Sequence, residues 1–473
     1  MPRPWRDLAA TAAATALLLM TTAAQRPSPA TFTAPDGSRF LLVAEPSATV
    51  VHWALASPID IAFDPAGHEG LGWTVARVSL HGTWRIGSQD VTREQQALLG
   101  LEETWLRMQN NPSDTVAAAD AKRWGEQARE LGDQRAWLRA LAAAPAWQPK
   151  LAARDGAAVF SLTTTRAALP EVARLLVERR EDQALRDLER GWLETFEERA
   201  RERVSDPLIN LRAELLALTM AGHPSARAID PPNPAPPRRE QAAAAWAATQ
   251  APSRAVHVLV GDLDVAAAKA TLAAAFARSD LIAPPLPAMP LLAPLAGERR
   301  SRIVWAVTPT IALAWPLPTP VDGDTVAAIA EWLGGDDGEL ARRLRAAGRA
   351  EARARVVAPW PAARDGRALL TIEATDPAGL AGLADAIIAA CKASAAGAPA
   401  DDDLARAHAA CMRAWRAVNP DARSAAASAA ATHLAWPSQP FRFGPPAPPA
   451  ATAVQACAQQ IFAAPAAIVE ASQ

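Results

Sequence analysis

The pattern of apolar and polar positions predicts strand pairs that alternate with groups of helices. Near the beginning of the chain, apolar runs at Phe40–Val43 and Val50–Leu55 follow a turn at Pro35-Asp36-Gly37, and they predict a hairpin. Two further runs, Ile303–Val307 and Ile311–Trp315, predict a second hairpin in the latter part of the chain. Because helical patterns follow both pairs, the order of elements indicates one plan used twice.

Apolar residues spaced three and four positions apart predict the helices. Within residues 89–144, Asn111-Pro112 separates two such stripes, which predict an αα-hairpin that begins with a Thr92–Gln95 capping box. The stripes are Leu98, Leu101, Trp105 and Met108, then Trp124, Ala128 and Leu131. The other predicted helices are Leu169–Arg180, Asp187–Arg203, one that Asp206-Pro207 begins and Gly222 and Pro224 end, Arg239–Ala248, Thr325–Leu333, Asp376–Lys392, Asp402–Arg416 and Ala422–Ala435. The other predicted strands are Ala157–Leu162, Val256–Asp264 with its closing turn, Leu369–Ala374 and Ala466–Val469.

Proline-rich stretches divide the chain into two predicted domains. One lies at 229–237, and the other, at 283–297, is the predicted interdomain linker. We expect an N-terminal domain at 26–282 with a helical insertion at about 89–144, and a C-terminal domain at 298–473. The expected fold class is α+β, with two related domains that each contain a mainly antiparallel sheet packed with helices.

Composition and charge exclude several classes of partner. The chain has 473 residues, of which 50% are hydrophobic and 21% charged, so two domains can each bury a core. A formal net charge of -2 provides no general attraction to nucleic acid or to an anionic membrane. Neither partner is expected.

Residues 1–24 have the pattern of a secretory signal peptide. Arg3 and Arg6 precede an apolar run at Leu8–Met20, and Thr22-Ala23-Ala24 provides a small-residue cleavage site. No later segment has the apolar length of a membrane span. The mature chain is therefore expected to be secreted or periplasmic.

Three cysteines lie in the last fifth of the chain: Cys391, Cys411 and Cys457. An oxidising compartment would allow one disulfide and leave one free thiol. The alternative is that all three are small buried core residues, and the Ala-rich helical patterns around them favour it.

The stretch Gly67–Thr83, GHEGLGWTVARVSLHGT, resembles the active-site helix of the pitrilysin/insulinase family of zinc peptidases. That family has a run such as G-L-A-H-F-L-E-H-M-x-F-K-G-T, and its fixed points match Gly70, Leu71, Gly82 and Thr83 here. The turn and strand before this stretch and the V-G-D-x-D turn near Asp264 resemble the family as well. The helical insertion is similar to that of a bacterial subgroup. The resemblance covers nearly all of the mature chain.

The three catalytic letters of the family's HxxEH motif are replaced in this chain. Trp73 and Arg77 stand where the family has zinc-binding histidines, and Ala76 stands where it has the general base. Indole and guanidinium donate no lone pair to a metal, and a methyl group accepts no proton. The resemblance therefore implies a chain without catalytic residues at these positions and without the family's zinc. A relocated site that uses His68, Glu69 or His81 is the alternative, although the HExxH pattern that begins at His68 fails at Gly72.

Glu198 aligns with the third metal ligand of the family, in a helix that carries E-E-R. We predict that Arg77 and Glu198 form an ion pair at the former metal position, because His is lost and Arg gained at the same place. The alternative is that Glu198 lies on a solvated, charge-rich helix face. His223, in a Gly-His-Pro sequence that matches a His-Pro pair of the family, is expected to be structural.

Half-length members of the family act as pairs, in which one subunit carries zinc and the other an Arg and a Tyr that hold substrate. Arg345 matches this arginine, and Ala352 stands at the tyrosine position in a chain that has no tyrosine. We therefore expect an exported, catalytically inactive homologue that serves as the peptide-binding subunit of a zinc peptidase pair. The alternatives are a divergent active zinc metalloendopeptidase and a stand-alone peptide-binding protein.

Overall fold

The computed structural model describes residues 29–59, 61–154, 156–206, 208–227, 237–281, 290–304, 308–360, 368–435 and 443–472. The predicted signal peptide at 1–24 lies outside these residues, as does most of the 229–237 connector and the first part of the 283–297 linker. Among the helices of the described ranges, none has the length and apolar character required to cross a bilayer.

The strands form two sheets, one in each half of the chain. The first half contributes β1 (Ala30–Thr33), β2 (Arg39–Ala44), β3 (Val51–Pro58), β4 (Ala146–Arg154), β5 (Ala157–Thr164) and β6 (Val256–Gly261). The second half contributes β7 (Arg299–Val304), β8 (Thr310–Pro316), β9 (Arg353–Trp360), β10 (Leu369–Thr375) and β11 (Ala467–Ser472).

The two sheets share one topology. The first has the order β1-β2-β6-β3-β5-β4 and the second β7-β11-β8-β10-β9, so all positions correspond once β1 is set aside. The single parallel pair also corresponds: β2 with β6 in the first sheet, and β7 with β11 in the second. The predicted α+β class, with mainly antiparallel sheets and one plan used twice, is confirmed.

Helices connect the strands and cover the sheets. In the first half they are α1 (Leu71–Val78), α2 (Val91–Asn110), α3 (Thr115–Leu131), α4 (Ala136–Ala143), α5 (Leu169–Glu181), α6 (Leu188–Ser205), α7 (Ile209–Thr219), α8 (Arg239–Gln250) and α9 (Val265–Ala275). In the second half they are α10 (Gly323–Leu333), α11 (Glu339–Ala346), α12 (Leu383–Ala395), α13 (Asp401–Val418), α14 (Ala422–Ala435) and α15 (Ala451–Ala463). The predicted αα-hairpin is present as α2 and α3.

Both predicted hairpins are wrong, although strands exist at each place. Of the predicted strand Ile303–Val307, residues 305–307 lie outside the described residues, and β7 ends at Val304. β6 lies between β2 and β3, and β11 lies between β7 and β8. The turn at Pro35-Asp36-Gly37 instead joins β2 to the preceding strand β1. In each sheet, a strand from a distant part of the sequence pairs with both members of the predicted hairpin.

Two predicted helix starts are also corrected. Helix α2 begins two residues earlier than the Thr92–Gln95 box implies, because Asp90 is the cap: its side chain accepts a hydrogen bond from the Arg93 amide at 3.1 Å. Asp376-Pro377 does not begin a helix: the Asp376 carboxylate accepts from the Ala378 amide and closes a turn, and α12 starts only at Leu383. Asp264, in contrast, caps α9 by accepting from the amides of Ala266 and Ala267.

Each sheet is covered on one face by helices of its own half and on the other by a helix of the opposite half. Ala426, Ala430 and Leu434 of α14 pack on β2, β3, β5 and β6 of the first sheet. Leu211 and Leu215 of α7 pack on β8, β10 and β11 of the second sheet. In both contacts the helix and the sheet present apolar side chains to each other. The two contacts therefore join the halves through two hydrophobic layers.

All three cysteines are buried and form no disulfide. Cys391 and Cys457 belong to the core of the second half, beside Trp315 and Phe462. Burial raises the pKa of the Cys411 and Cys457 thiols to about 11, so both remain protonated at neutral pH. The core alternative is the one that the structure shows.

Candidate functional site

The residues that match the family motif hold the backbone of the motif helix α1 in place. Gly70 precedes α1 with φ 101°, a left-handed conformation that favours glycine. Asp64 caps the helix, since its carboxylate accepts from the amides of Gly70 at 2.7 Å and Gly72 at 2.8 Å. Gly82 has φ 97°, and a Cβ there would lie 2.7 Å from an Arg186 nitrogen. Thr83 is fully buried and donates to Glu178 at 2.9 Å.

The positions that align with the family's catalytic residues occupy two different environments on α1. Trp73 and Arg77 are four residues apart and partly exposed on one face, as ligand positions would be. Ala76 is 2% exposed and lines a small cavity with Leu151 of β4, Arg179 of α5 and residues of neighbouring elements. None of the three aligned side chains offers a metal ligand or a general base.

Arg77 binds two carboxylates of helix α6. Its guanidinium donates to Glu198 at 3.0 Å and to Glu194 at 3.3 Å. The predicted contact with Glu198 is thus present, and Glu194 is an addition that the sequence analysis missed. The spacing of four between the two glutamates could have indicated a shared helix face. With side-chain exposures of 29% for Arg77 and 45% for Glu198, the pair neutralises charge and adds about 0–1 kcal/mol of stability.

The histidines and the glutamate that flank α1 contact different partners. Glu69 is buried and accepts from Arg227 at 3.1 Å. His81 is partly exposed and lies 3.3 Å from the Arg186 carbonyl. His68 lies against the Trp192 ring, and burial lowers the pKa of its imidazole. His223 accepts from the Ser225 amide and contacts the Pro290 carbonyl at 3.0 Å, a structural arrangement.

The strand β4 forms an edge of the first sheet, and its Leu151 lines the same small cavity as Ala76 of the motif helix. It pairs with β5 alone, and its residues are mainly exposed, with Trp147 at 44%. A register shift between Trp147 and Lys150 and a φ of 51° at Gln148 mark a β-bulge. The sequence analysis did not predict this strand, although Pro149 and Lys150 are typical of sheet edges.

Neither a family model nor a curated protein matches the sequence. Solved structures do match. A peptidase M16 inactive domain from Pseudomonas fluorescens is similar with a TM-score of 0.65 at 15% identity, over 94% of this chain and 98% of that one. A protease from Helicobacter pylori is similar with a TM-score of 0.65 at 14% identity, over 94% of this chain and all of that one. Pitrilysin is similar with a TM-score of 0.61 at 15% identity, over 95% of this chain and 45% of its own length.

The chain has the fold of M16 peptidases. Identities of 14–15% establish the M16 architecture and leave activity to be argued from the side chains.

Zinc, the metal of the M16 peptidases, does not fit the residues present at the motif. A guanidinium occupies one ligand position and contacts Glu198, so the carboxylate faces a cation that the protein itself provides. In the described part of the chain, no group of three or more His, Cys, Asp or Glu side chains is arranged to hold a metal ion. We therefore derive no reaction step through zinc.

Arg345, the M16 substrate arginine by resemblance, lies in the second half. Its exposed side chain donates to the Asp336 carbonyl at 3.1 Å. Ala352, at the tyrosine position, packs against the core of the second half. Within the described residues, no hydrogen bond joins Arg345 to α1 or α6, so its role in binding substrate stays a prediction.

Proposed function

We propose that this chain is a non-catalytic member of the pitrilysin/insulinase (M16) family that binds peptides and works with a zinc-bearing homologous subunit. The observation that carries the proposal is the exposed edge of β4, whose Leu151 shares a cavity with the motif helix on which Trp73, Ala76 and Arg77 align with the family's catalytic residues. The fold likeness supports the family, and the pattern of residues 1–24 supports export.

Peptide binding follows from the chemistry of a sheet edge. Arg423 already donates to the Gln148 carbonyl, and Pro149 has no N–H, so the pairing segment lies beyond this bulge. From Lys150 to Arg154 the outer side of β4 presents backbone N–H and C=O groups that an extended peptide can pair with, as an added strand. Exposed Trp147 offers an apolar contact at one end of this edge, and partly buried Leu151 lies near its centre. Arg345 would contact the peptide from the second half, in the role that the family resemblance gives it.

At the motif positions, the isolated chain has no side chain that could act as a general base or bind zinc. Ala76 accepts no proton, and Arg77 repels a metal cation while it holds Glu194 and Glu198. The proposed contribution of this chain to proteolysis is therefore to complete a substrate chamber, while the metal and the base belong to the partner.

The test measures zinc content, peptide binding and peptide cleavage by the mature chain, alone and mixed with an M16 homologue that retains HxxEH. We expect no zinc, no cleavage by the chain alone, and faster cleavage by the mixture than by the homologue. Trp147→Ser should weaken peptide binding about tenfold, since an aromatic anchor contributes 1–2 kcal/mol at such edges. Leu99→Ala, an exposed apolar site on the helical hairpin, is the matched control and should bind peptide like the original chain.

Each other outcome selects a different function. Stoichiometric zinc with cleavage by the single chain would establish the divergent metallopeptidase and overturn our proposal. Peptide binding that Trp147→Ser weakens, without any effect on the homologue, would leave a stand-alone peptide-binding protein. Absence of peptide binding in every mixture would reject β4 as a binding edge.

A further inference from the structure

Among the buried arginines of the described residues, Arg179 lacks a carboxylate partner. Arg179, in α5, is 3% exposed, and within the described residues its guanidinium donates one hydrogen bond, to the Ser79 hydroxyl at 3.2 Å. Its Nε has no hydrogen-bond partner at all. The faces of Trp137, Phe160 and Trp246 surround the guanidinium, with centroids 4.9–5.6 Å from its central carbon. Aromatic faces attract a cation, but they accept no N–H of the guanidinium plane as a carboxylate does.

The other buried arginines of the described residues show how this protein neutralises such a charge. Arg180, the next residue, binds the carboxylates of Asp36 at 2.8 Å and Glu181 at 2.7 Å. Arg186 forms a two-point contact with Glu94 at 2.5 and 3.0 Å. Arg179 therefore differs from them in its missing anion. A buried charge of this kind is strongly disfavoured unless a counter-charge accompanies it.

A cavity lies next to this guanidinium. Arg179 lines it together with the polar groups of Ser57 and Gln250 and the apolar side chains of Leu55, Ala76, Leu151, Ala158 and Phe160. Its volume is about 10 Å³, the space that one water-sized species requires. Ser57 donates to the Gln250 side-chain carbonyl oxygen at 3.0 Å, which fixes the polar part of the cavity wall.

We propose that this cavity binds one small monatomic anion of the halide class, with the Arg179 guanidinium as its principal ligand. The cavity volume excludes sulfate, phosphate and the carboxylate of a peptide. The charge selects an anion over water, because a neutral water leaves the buried cation uncompensated. Burial lowers the pKa of Arg179 to about 10, so the group stays protonated at neutral pH and the attraction persists. Partly buried Leu151 of β4 contributes to the apolar part of the cavity wall.

The anion site is distinct from the peptide-binding edge of β4, although Leu151 belongs to both. A halide at Arg179 would lie on the core side of the sheet beneath Ala76, and peptide would add to the outer edge of β4. Anion binding can therefore succeed or fail independently of peptide binding.

The test is a thermal unfolding series of the mature chain in chloride, bromide or fluoride, with gluconate to keep the ionic strength constant. We expect halide to raise Tm by about 1–3 °C with saturation, since a ligand of the folded state stabilises it in proportion to its occupancy. Arg179→Met should abolish the halide-dependent part of the shift. Arg174→Met, an exposed and carboxylate-paired arginine of the same helix, is the matched control and should retain it.

A second measurement locates the ion. A crystal soaked in bromide should show an anomalous peak in the cavity beside Arg179, and this measurement stands even if Arg179→Met fails to fold. Identical Tm values in halide and gluconate would overturn the proposal, and a peak without a Tm shift would mean binding at crystal concentration only. A Tm shift with the bromide peak elsewhere would equally reject Arg179 as the ligand.

Discussion

At the scale of the residue, the motif helix shows which positions the fold requires. Gly82 and Thr83 are held by close packing and a buried hydrogen bond, so they match the family motif for structural reasons. Trp73 and Arg77, at positions that align with the family's zinc ligands, are partly exposed, and the helix forms with these side chains in place. A sequence motif can therefore report architecture through its structural positions alone.

Restoring two histidines tests whether Glu198 occupies a former ligand position. In Trp73→His with Arg77→His, two imidazoles four residues apart and the Glu198 carboxylate provide three zinc ligands. We expect one zinc per chain at micromolar zinc, measured by metal analysis after dialysis. Adding Glu198→Ala should weaken binding at least about tenfold, and equal affinity in both variants would show that Glu198 is not a ligand.

His257 makes stability depend on pH. Burial, followed by the charges of Arg180 and Arg179, lowers the pKa of this imidazole well below 6.5 in the folded chain. The unfolded chain then takes up the proton first, so stability is fully present above pH 6.5 and falls as the pH drops below it. We expect a loss of up to about 1.4 kcal/mol per pH unit in the free energy of unfolding.

The measurement is urea unfolding between pH 5 and pH 7.5. The free energy of unfolding of His257→Gln should depend less steeply on pH than that of the original chain. The difference should correspond to about one bound proton, whatever the stability of the variant at pH 7.5. Leu99→Ala, at an exposed position that carries no titratable side chain, is the control and should leave the slope unchanged. An unchanged slope in His257→Gln would mean that another group causes the pH dependence.

At the scale of the element, the helical hairpin offers a test of packing against propensity. A Cβ added at Gly100 of α2 would lie 2.6 Å from the Trp124 ring of α3. Gly100→Ala should therefore destabilise the protein by about 1–3 kcal/mol despite the better helix propensity of alanine. At Gly125 the nearest atom would be a Leu101 methyl at 3.9 Å, an ordinary contact.

The matched variant, at Gly125, should change the free energy of unfolding in the opposite direction. Gly125→Ala should stabilise by about 0.5–1 kcal/mol, because only the helix propensity changes. Both free energies come from urea unfolding under one condition. A stabilising effect of Gly100→Ala would show that α2 and α3 are not in close contact at this point.

The sequence predicted elements better than their partners. Helices such as Ala422–Ala435 depend on local spacing, and the structure reproduces those bounds. The hairpins were wrong because β6 and β11 come from distant parts of the chain, and apolar runs carry no information on which strand lies next to which. Strand β4 was missed because its exposed face and Pro149 weaken the apolar signal.

For the candidate site, the sequence predicted the contact of Arg77 with Glu198. It did not indicate that the Arg179 guanidinium would be buried among aromatic rings without a carboxylate partner. The first depends on positions that a motif resemblance brings together. The second depends on three aromatic rings from separate elements and on the absence of a nearby carboxylate, which only the folded chain defines.

At the scale of the whole molecule, an ion pair reinforces the contact between the halves. Arg212 of α7 donates to both oxygens of Glu373 of β10, at 2.5 and 3.0 Å. The Glu373 side chain is 7% exposed, so loss of the arginine would leave a buried carboxylate without a counter-charge. Arg212→Met should lower the free energy of unfolding by about 2–3 kcal/mol.

Two variants provide the controls for this prediction. Arg212→Met combined with Glu373→Met should lose less stability than the single variant, because no unpaired charge remains. Arg300→Met removes the exposed pair with Asp385 and should change stability by less than about 1 kcal/mol. Urea unfolding measures the stability of all three variants. If Arg212→Met lost no more stability than Arg300→Met, the proposed role of the Arg212–Glu373 pair between the halves would be contradicted.

Because a helix of the second half covers the first sheet, that sheet face becomes covered only late in the synthesis of the chain. The strands of the first sheet are complete when Gly261 has been made, but the helix that covers their outer face ends at Ala435, about 170 residues later. At roughly 5–20 residues per second, the ribosome needs roughly 10–35 s to cover that distance. During this interval the growing chain carries an uncovered apolar sheet face. We expect a holding chaperone to bind there until α14 arrives.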